Sequence, residues 1–487
     1  MGSLWIVGLV LVLYMGVLGL ISWWARRSSN SAEGFATGGR AFPAVLVGFL
    51  LASEFLGSTA SVGTAQSAHE HGISAAWNVV SLALGFVLFS VLLARRFREL
   101  GENTISGALA RTYGERVRLA TSSIMICALL IVAVSIYASG GAILSGLLGI
   151  GTAPAIVVTG VLAVAWVSIG GMRSVVYTNV LHASVKLIGV VLLAVVALRA
   201  AGGPGRLQAE LPPRMLAWDG IGWAQIGAWL IAGVGAIFAT QYVVQAVTTT
   251  ADGRSARQSG LWSAAVLIPF GLCSAVIGLC SALVHPGIRS IQALPAFVLE
   301  LNPWAAGLVV CGLSGAMFGT IAALTLGAST LLLKDFHRPW RDRRGHGAEP
   351  GGDLRFLRLA TVVTGLLPIV LALFASDVLT VSFLAKSLRA ALAVLVLLMF
   401  YGPRFGTRAG AFWSIIAALV ATVGWFLAGD PFGVDNAYVA VAMPLLVMTA
   451  THVWSRRPGR IPTVGTGVAD APPSPDHTTR PREEPAR

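Results

Sequence analysis

The feature that most constrains this chain is its series of apolar runs, each about 20 residues long and separated by short, often Arg-rich stretches. A run of that length spans the hydrocarbon core of a bilayer as a helix, because backbone polar groups in lipid must be satisfied within their own segment. Only 11% of the 487 residues are charged, against about 25% in a soluble domain. Mean hydropathy is +0.78. A soluble fold around one large core is excluded, and the expectation is an all-α polytopic membrane protein.

Thirteen candidate helices follow, at 4–25, 43–66, 74–95, 117–147, 154–170, 174–199, 222–249, 260–284, 304–333, 355–376, 378–400, 408–428 and 436–455. The shortest connections divide 154–170 from 174–199 and 355–376 from 378–400. The first run has no basic residue before it and Arg26-Arg27 after it, the reverse of a cleaved signal peptide, so it reads as a retained helix. With the N-terminus outside, the loops holding Arg95, Arg96, Arg98, Arg111, Arg116, Arg118, Arg254, Arg257, Lys334, Arg338, Arg341, Arg343 and Arg344 all fall inside. The outside loops keep only Arg199, Arg206, Arg214 and Arg289. Positive-inside segregation thus predicts N-out, C-in topology in a plasma or inner membrane.

The net charge of +13 reads as a topology signal and as lipid-headgroup contacts, since the basic residues lie between apolar runs without interleaved aromatics. Nucleic acid is not expected as a partner; the bilayer is. Cys127, Cys273, Cys280 and Cys311 lie within apolar runs without CxxC spacing, which supports neither a zinc site nor a disulfide framework. The segment 335–353 reads as a solvated loop, and the Pro/Thr/Arg/Glu-rich tail 457–487 as disordered and cytoplasmic. The transporter domain is then 1–456. No nucleotide-binding fingerprint and no HExxH or paired catalytic Asp is present, so the chain is not expected to be an enzyme or an ATP-driven pump.

Several segments resemble the sodium/solute symporter family: SAEGFATGGRAFPA at 31–44, LLASEFLGSTASVGTAQSAHEHG at 50–72, GGMRSVVYTNVLHASVKL at 170–187, QYVVQAVTTTADGRSARQSG at 241–260 and LSGAMFGTIAALTLGASTLLLKDF at 313–336. They occur in the family's order, on the matching helices. The resemblance implies a LeuT-type core of two inverted five-helix repeats, about 43–199 and 222–400, with the second and seventh helices broken near the midplane. It implies secondary active symport of a small polar or carboxylate-bearing solute with Na+ or H+ by alternating access. The alternative is a sensor or uncoupled facilitator that kept the fold and lost cation coupling. Gly57 in the second helix, and Gly233 and Gly235 in the seventh, are compatible with such breaks.

Glu54 falls at midspan in the second helix, where an ionised side chain requires a function or a partner; Ser53 stands beside it. Lys386 and Arg389, three apart, share a face of the eleventh helix. They can pair with Glu54 or with a solute carboxylate, or Lys386 can snorkel to the interface. Gln241 and Tyr242 line the solute site by the resemblance, or hydrogen-bond neighbouring helices. The resemblance also places cation ligands at the carbonyls of Val47, Leu50 and Ala316, and at Gly319 and Thr320, where the family normally carries two hydroxyls. Only Thr320 has one, and Asn179 replaces the family's nearby Asp. Both departures weaken Na+ binding. His69, Glu70 and His71 read as a solvated turn, and His182 as an interior hydrogen-bonded histidine.

Overall fold

A computed structural model of the chain describes residues 4–25, 35, 42–57, 59–148, 150–344, 351–373 and 378–456. The expected tail 457–487 lies outside them, as does most of the 31–44 motif. Fifteen helices carry the architecture: α1 (Leu4–Ala25), α2 (Ala44–Phe55), α3 (Thr64–His71), α4 (Trp77–Leu92), α5 (Ile105–Tyr113), α6 (Glu115–Leu148), α7 (Thr152–Ala200), α8 (Trp223–Phe238), α9 (Gln241–Val247), α10 (Gly253–Val284), α11 (Pro303–Leu331), α12 (Gly352–Ala372), α13 (Val378–Tyr401), α14 (Arg408–Leu427) and α15 (Asn436–Ser455). Among the described residues there is no strand, only an isolated parallel bridge between Phe42 and Thr250.

Side chains such as Val12, Leu20, Val370, Val420 and Leu446 remain exposed on the outer faces, as lipid-facing positions should. Trp23, Trp223, Trp304 and Trp454 are exposed at helix ends, where indoles suit the headgroup level. Helix starts are capped: Asp252 accepts from Ser255 N at 2.7 Å, Asn302 from Ala305 N at 2.9 Å and Thr407 from Gly410 N at 2.9 Å. These side chains satisfy amides that have no intrahelical partner.

Nine helices among the described residues are long and apolar enough to cross a membrane, and the bent pair α8–α9 raises this to ten. The expected thirteen is not confirmed, and two of the expected spans differ in the structure. The second expected helix is split: α2 ends at Phe55, and a π-helical turn at Thr59–Gly63 leads into α3. The fifth and sixth are one 49-residue element, α7, helical through Gly170 and Gly171. At 1.5 Å per residue it is about 74 Å long, over twice the hydrocarbon thickness. Helical geometry needs only local hydrogen bonds, and glycine lowers helix propensity without forbidding the helix.

Two further expectations change. Gly233 and Gly235 do not break the seventh span; both lie inside α8, which bends by 48° against α9 at Ala239–Thr240. The glycines instead permit close approach, since a Cβ on Gly235 would stand 2.6 Å from Ala390 Cα and one on Gly233 2.9 Å from Ser81 Cβ. The segment expected as a loop over 335–353 is helical through Arg343: residues 332–337 form a π-helical turn and 338–343 an α-helix.

Candidate functional site

The two broken helices meet at the centre. α2 packs on α7, α10 and α11, and α9 packs on α2 and α11. Their starts and ends are tied by the Phe42–Thr250 bridge, with Phe42 N on Thr249 O at 3.2 Å. The last turn of α2 carries Ser53 and Glu54, both buried. Carbonyls here have run out of intrahelical partners. Neither carboxylate oxygen of Glu54 has a hydrogen-bond partner among the described residues. Glu54 lines a small cavity with Leu51, Tyr242, Gln245 and Ala323; its volume of about 10 Å³ is room for one water. The described conformation is closed at this point.

Lys186 was missed at the sequence level. It is buried on α7, and its Nζ donates to Ser53 O at 3.1 Å and to Ser53 Oγ at 3.3 Å. The signal was available: a lysine amid the apolar run LHASVKLIGVVLL is an intramembrane charge. Asn179, His182 and Lys186 recur at helical spacing and form one polar stripe. His182 Nδ1 makes a very short hydrogen bond with the Tyr14 hydroxyl of α1, so the histidine is an interior, hydrogen-bonded one.

Opposite this stripe, the Thr320 hydroxyl of α11 donates to Glu54 O at 3.4 Å. Val47 and Leu50 are buried in the regular part of α2, before its last turn, where carbonyls serve the helix's own ladder. Ala316 lies one turn before Thr320 on α11. Asn179 Nδ2 donates to Val175 O at 2.9 Å and to Gly319 O at 3.4 Å. A Cβ on Gly319 would collide with Asn179 Oδ1 and stand 2.9 Å from His182 Cδ2. Gly319 and Asn179 are thus complementary, the amide occupying the space that a side chain at 319 would need.

The α13 cations do not pair with Glu54. Arg389 is buried; its Nε donates to Ala385 O at 2.9 Å and its Nη1 to Thr240 Oγ1 at 3.2 Å, in the α8–α9 break. Tyr242, buried at the start of α9, lines the same small cavity as Glu54. Lys386 Nζ sits 3.4 Å from Asn78 Oδ1 and 4.5 Å from the Phe383 ring centroid. Gln241 is turned to the backbone of the α5 approach: its Oε1 accepts from Ile105 N and its Nε2 donates to Asn103 O, both at 3.0 Å. Of the sequence-level residues, the structure brings Ser53, Glu54, Tyr242, Arg389 and Thr320 to the two breaks and sets Gln241 and Lys386 at their margin.

Away from the centre, Asp335 is fully buried. It takes Arg118 Nε at 2.7 Å and short hydrogen bonds from Ser106 and Ser122, while Arg118 Nη2 donates to Lys334 O at 2.6 Å. His69 Nδ1 lies 3.2 Å from Ser281 Oγ, and His71 Nδ1 3.3 Å from Ser67 O. No group of His, Cys, Asp or Glu among the described residues is arranged to hold a metal ion.

Comparison with known proteins adds the following. Residues 35–418 match the model of the sodium:solute symporter family. The human sodium/iodide cotransporter is 29% identical over 181 residues, a match covering 37% of this chain and 28% of that relative's length. A Na+-coupled sialic acid symporter in a substrate-bound outward-open state superposes with a TM-score of 0.78 at 19% identity, over 92% of this chain and 98% of the other. A nucleobase-cation-symport-1 family transporter, closed with bromovinylhydantoin bound, superposes with a TM-score of 0.59 at 14% identity, over 86% and 93% of the two chains. At these identities the likeness is one of fold, the LeuT-type arrangement of helices.

Proposed function

The chain belongs to the sodium:solute symporter family, and from that membership we propose that it carries a small polar solute across the plasma or inner membrane by cation-coupled alternating access. The observation that carries this reading is the pair of helix breaks, with Glu54 and Tyr242 lining one cavity at the first and Arg389 on Thr240 at the second. Two buried carboxylate oxygens without donors are an unfilled demand; a solute hydroxyl or ammonium meets it. The guanidinium of Arg389 suits a carboxylate on the same solute. Substrate contacts are assigned to Ser53, Glu54, Tyr242 and Arg389. Lys386 shapes the rim, and Gln241 holds the α9 start against the approach to α5.

The coupling cation belongs where α2 ends against α11. Thr320 supplies the side-chain oxygen there, and the last-turn carbonyls of α2 fit that role better than those of Val47 and Leu50. The loss of a hydroxyl at Gly319, with Asn179 in its space, favours a second reading: coupling to H+ rather than Na+, or a facilitator with none. Uptake of candidate amino- and hydroxy-acids into proteoliposomes under separately imposed Na+ and H+ gradients tests these readings. Accumulation driven by either gradient supports symport. Equilibration indifferent to both rejects coupling.

A further inference from the structure

We propose that the ε-ammonium of Lys186 is a resident cation of the broken end of α2, standing in the coupling-ion site in place of a soluble ion. The inference rests on the symport reading only in taking this helix end as a cation site. Three observations support it. Lys186 Nζ binds both the carbonyl and the hydroxyl of Ser53, at 3.1 and 3.3 Å, in the turn where helix carbonyls collect partial negative charge. The next carbonyl, Glu54 O, is the one that Thr320 reaches, so the ammonium and the hydroxyl share one helix end. The facing oxygen of α11, Gly319 O, already takes an N–H from Asn179.

A Na+ ion requires oxygens with lone pairs free to point at it. Here N–H donors of the chain itself cover Ser53 O, Ser53 Oγ and Gly319 O. The absence of a side chain at Gly319 belongs to the same arrangement: a second hydroxyl ligand is missing where the ion it would hold is replaced. Burial of Lys186 at 3% exposure and its place on α7, one turn from the Tyr14-bound His182, hold the ammonium in position.

The test is Na+ binding to the purified full-length protein in detergent, read as radiolabelled Na+ retained and as the shift in melting temperature between sodium and choline chloride. Only the part of the response removed by Thr320→Ala counts as this site. Wild type should show no such Thr320-dependent response. Lys186→Met should gain one that saturates with Na+ concentration. Lys186→Arg, which restores a tethered cation, should not, and Thr320→Ala in the Lys186→Met protein should remove it. A Thr320-dependent Na+ response in wild type overturns the proposal even if the lysine variants fail to fold. Equal Thr320-dependent binding in wild type and Lys186→Met rejects the resident cation and leaves the cation site standing. Folded Lys186→Met that ignores Na+ overturns the proposal together with the site.

Discussion

At the broken end of α2, the Glu54 carboxylate lacks a donor while the Lys186 ammonium is bound to Ser53. A bare buried carboxylate opposes folding, so Glu54→Gln should leave expression and melting temperature unchanged or raised. Uptake should nonetheless fall about 10- to 100-fold, the worth of one charge-assisted hydrogen bond to the solute; unchanged uptake kinetics in the folded variant would sink the assignment. Gly319→Ser, which restores the family's hydroxyl pair, should fail for steric reasons. Its Cβ collides with Asn179 Oδ1, and overpacking of this kind costs about 1–3 kcal/mol. Adding Asn179→Ala should recover most of that loss, a coupling that a melting-temperature cycle over the two single variants and the double would read. Additive effects would show that the two residues do not share one space. Glu54 and Arg389 were legible in the sequence because each is a charge at midspan. Lys186 met the same criterion, but its partner Ser53 is 133 positions away and nothing local announces the pair. The Asn179–Gly319 fit spans 140 positions; the resemblance brings both residues to one site, but the packing of one against the other is visible only in three dimensions.

Among the elements, the long apolar helices were the easiest to read and the interruptions the hardest. The 48° bend between α8 and α9 falls at Ala239–Thr240, not at the glycines that drew attention. There the Thr240 hydroxyl donates to Ala236 O and accepts from Arg389. The helical stretch through Arg343 falls where the polar composition of 335–353 suggests a loop; what holds it is tertiary. Asp335 at its start is buried against Ser106, Ser122 and Arg118, and Arg338 and Arg341 reach Asp353 at 2.8 and 2.6 Å. Asp335 thereby pins α5, α6 and the extension of α11 to one another. Removing one partner of a buried ion pair leaves the other uncompensated and costs about 3–5 kcal/mol. Arg118 is about a quarter exposed, so Asp335→Asn should sit at or below the low end of that range. Thermal melting of the detergent-solubilised variant checks it, and a wild-type melting temperature would mean the carboxylate is not the anchor. The fusion of two expected spans into α7 shows the limit of counting: charge and length at 154–199 indicate two crossings, whereas backbone hydrogen bonding continues through Gly170 and Gly171.

For the whole molecule, the segregation of basic residues across thirteen crossings makes a topology prediction, because only an odd number of crossings joins an outside N-terminus to an inside C-terminus. Single-cysteine labels placed at Arg206 and Arg289 should react from outside intact cells, and those at Arg343 and Arg404 only after permeabilisation; one reversed position breaks the N-out, C-in assignment. The fold class was legible because the bilayer imposes it on any chain of this pattern, and the order of the family-like motifs carried the rest. The closed state at the centre was not legible, since it depends on how α2, α9 and α11 meet. That closure carries a thermodynamic consequence. A cavity of about 10 Å³ holds one water, whereas a pocket able to take a small solute measures at least about 300 Å³, roughly ten waters at 30 Å³ each. Opening the pathway is therefore a hydration reaction, and water is one of its reactants. Osmolytes too large to enter should draw the population toward the closed form and slow the cycle in proportion to osmotic pressure, as the protein gives up water it would otherwise need to borrow from the medium.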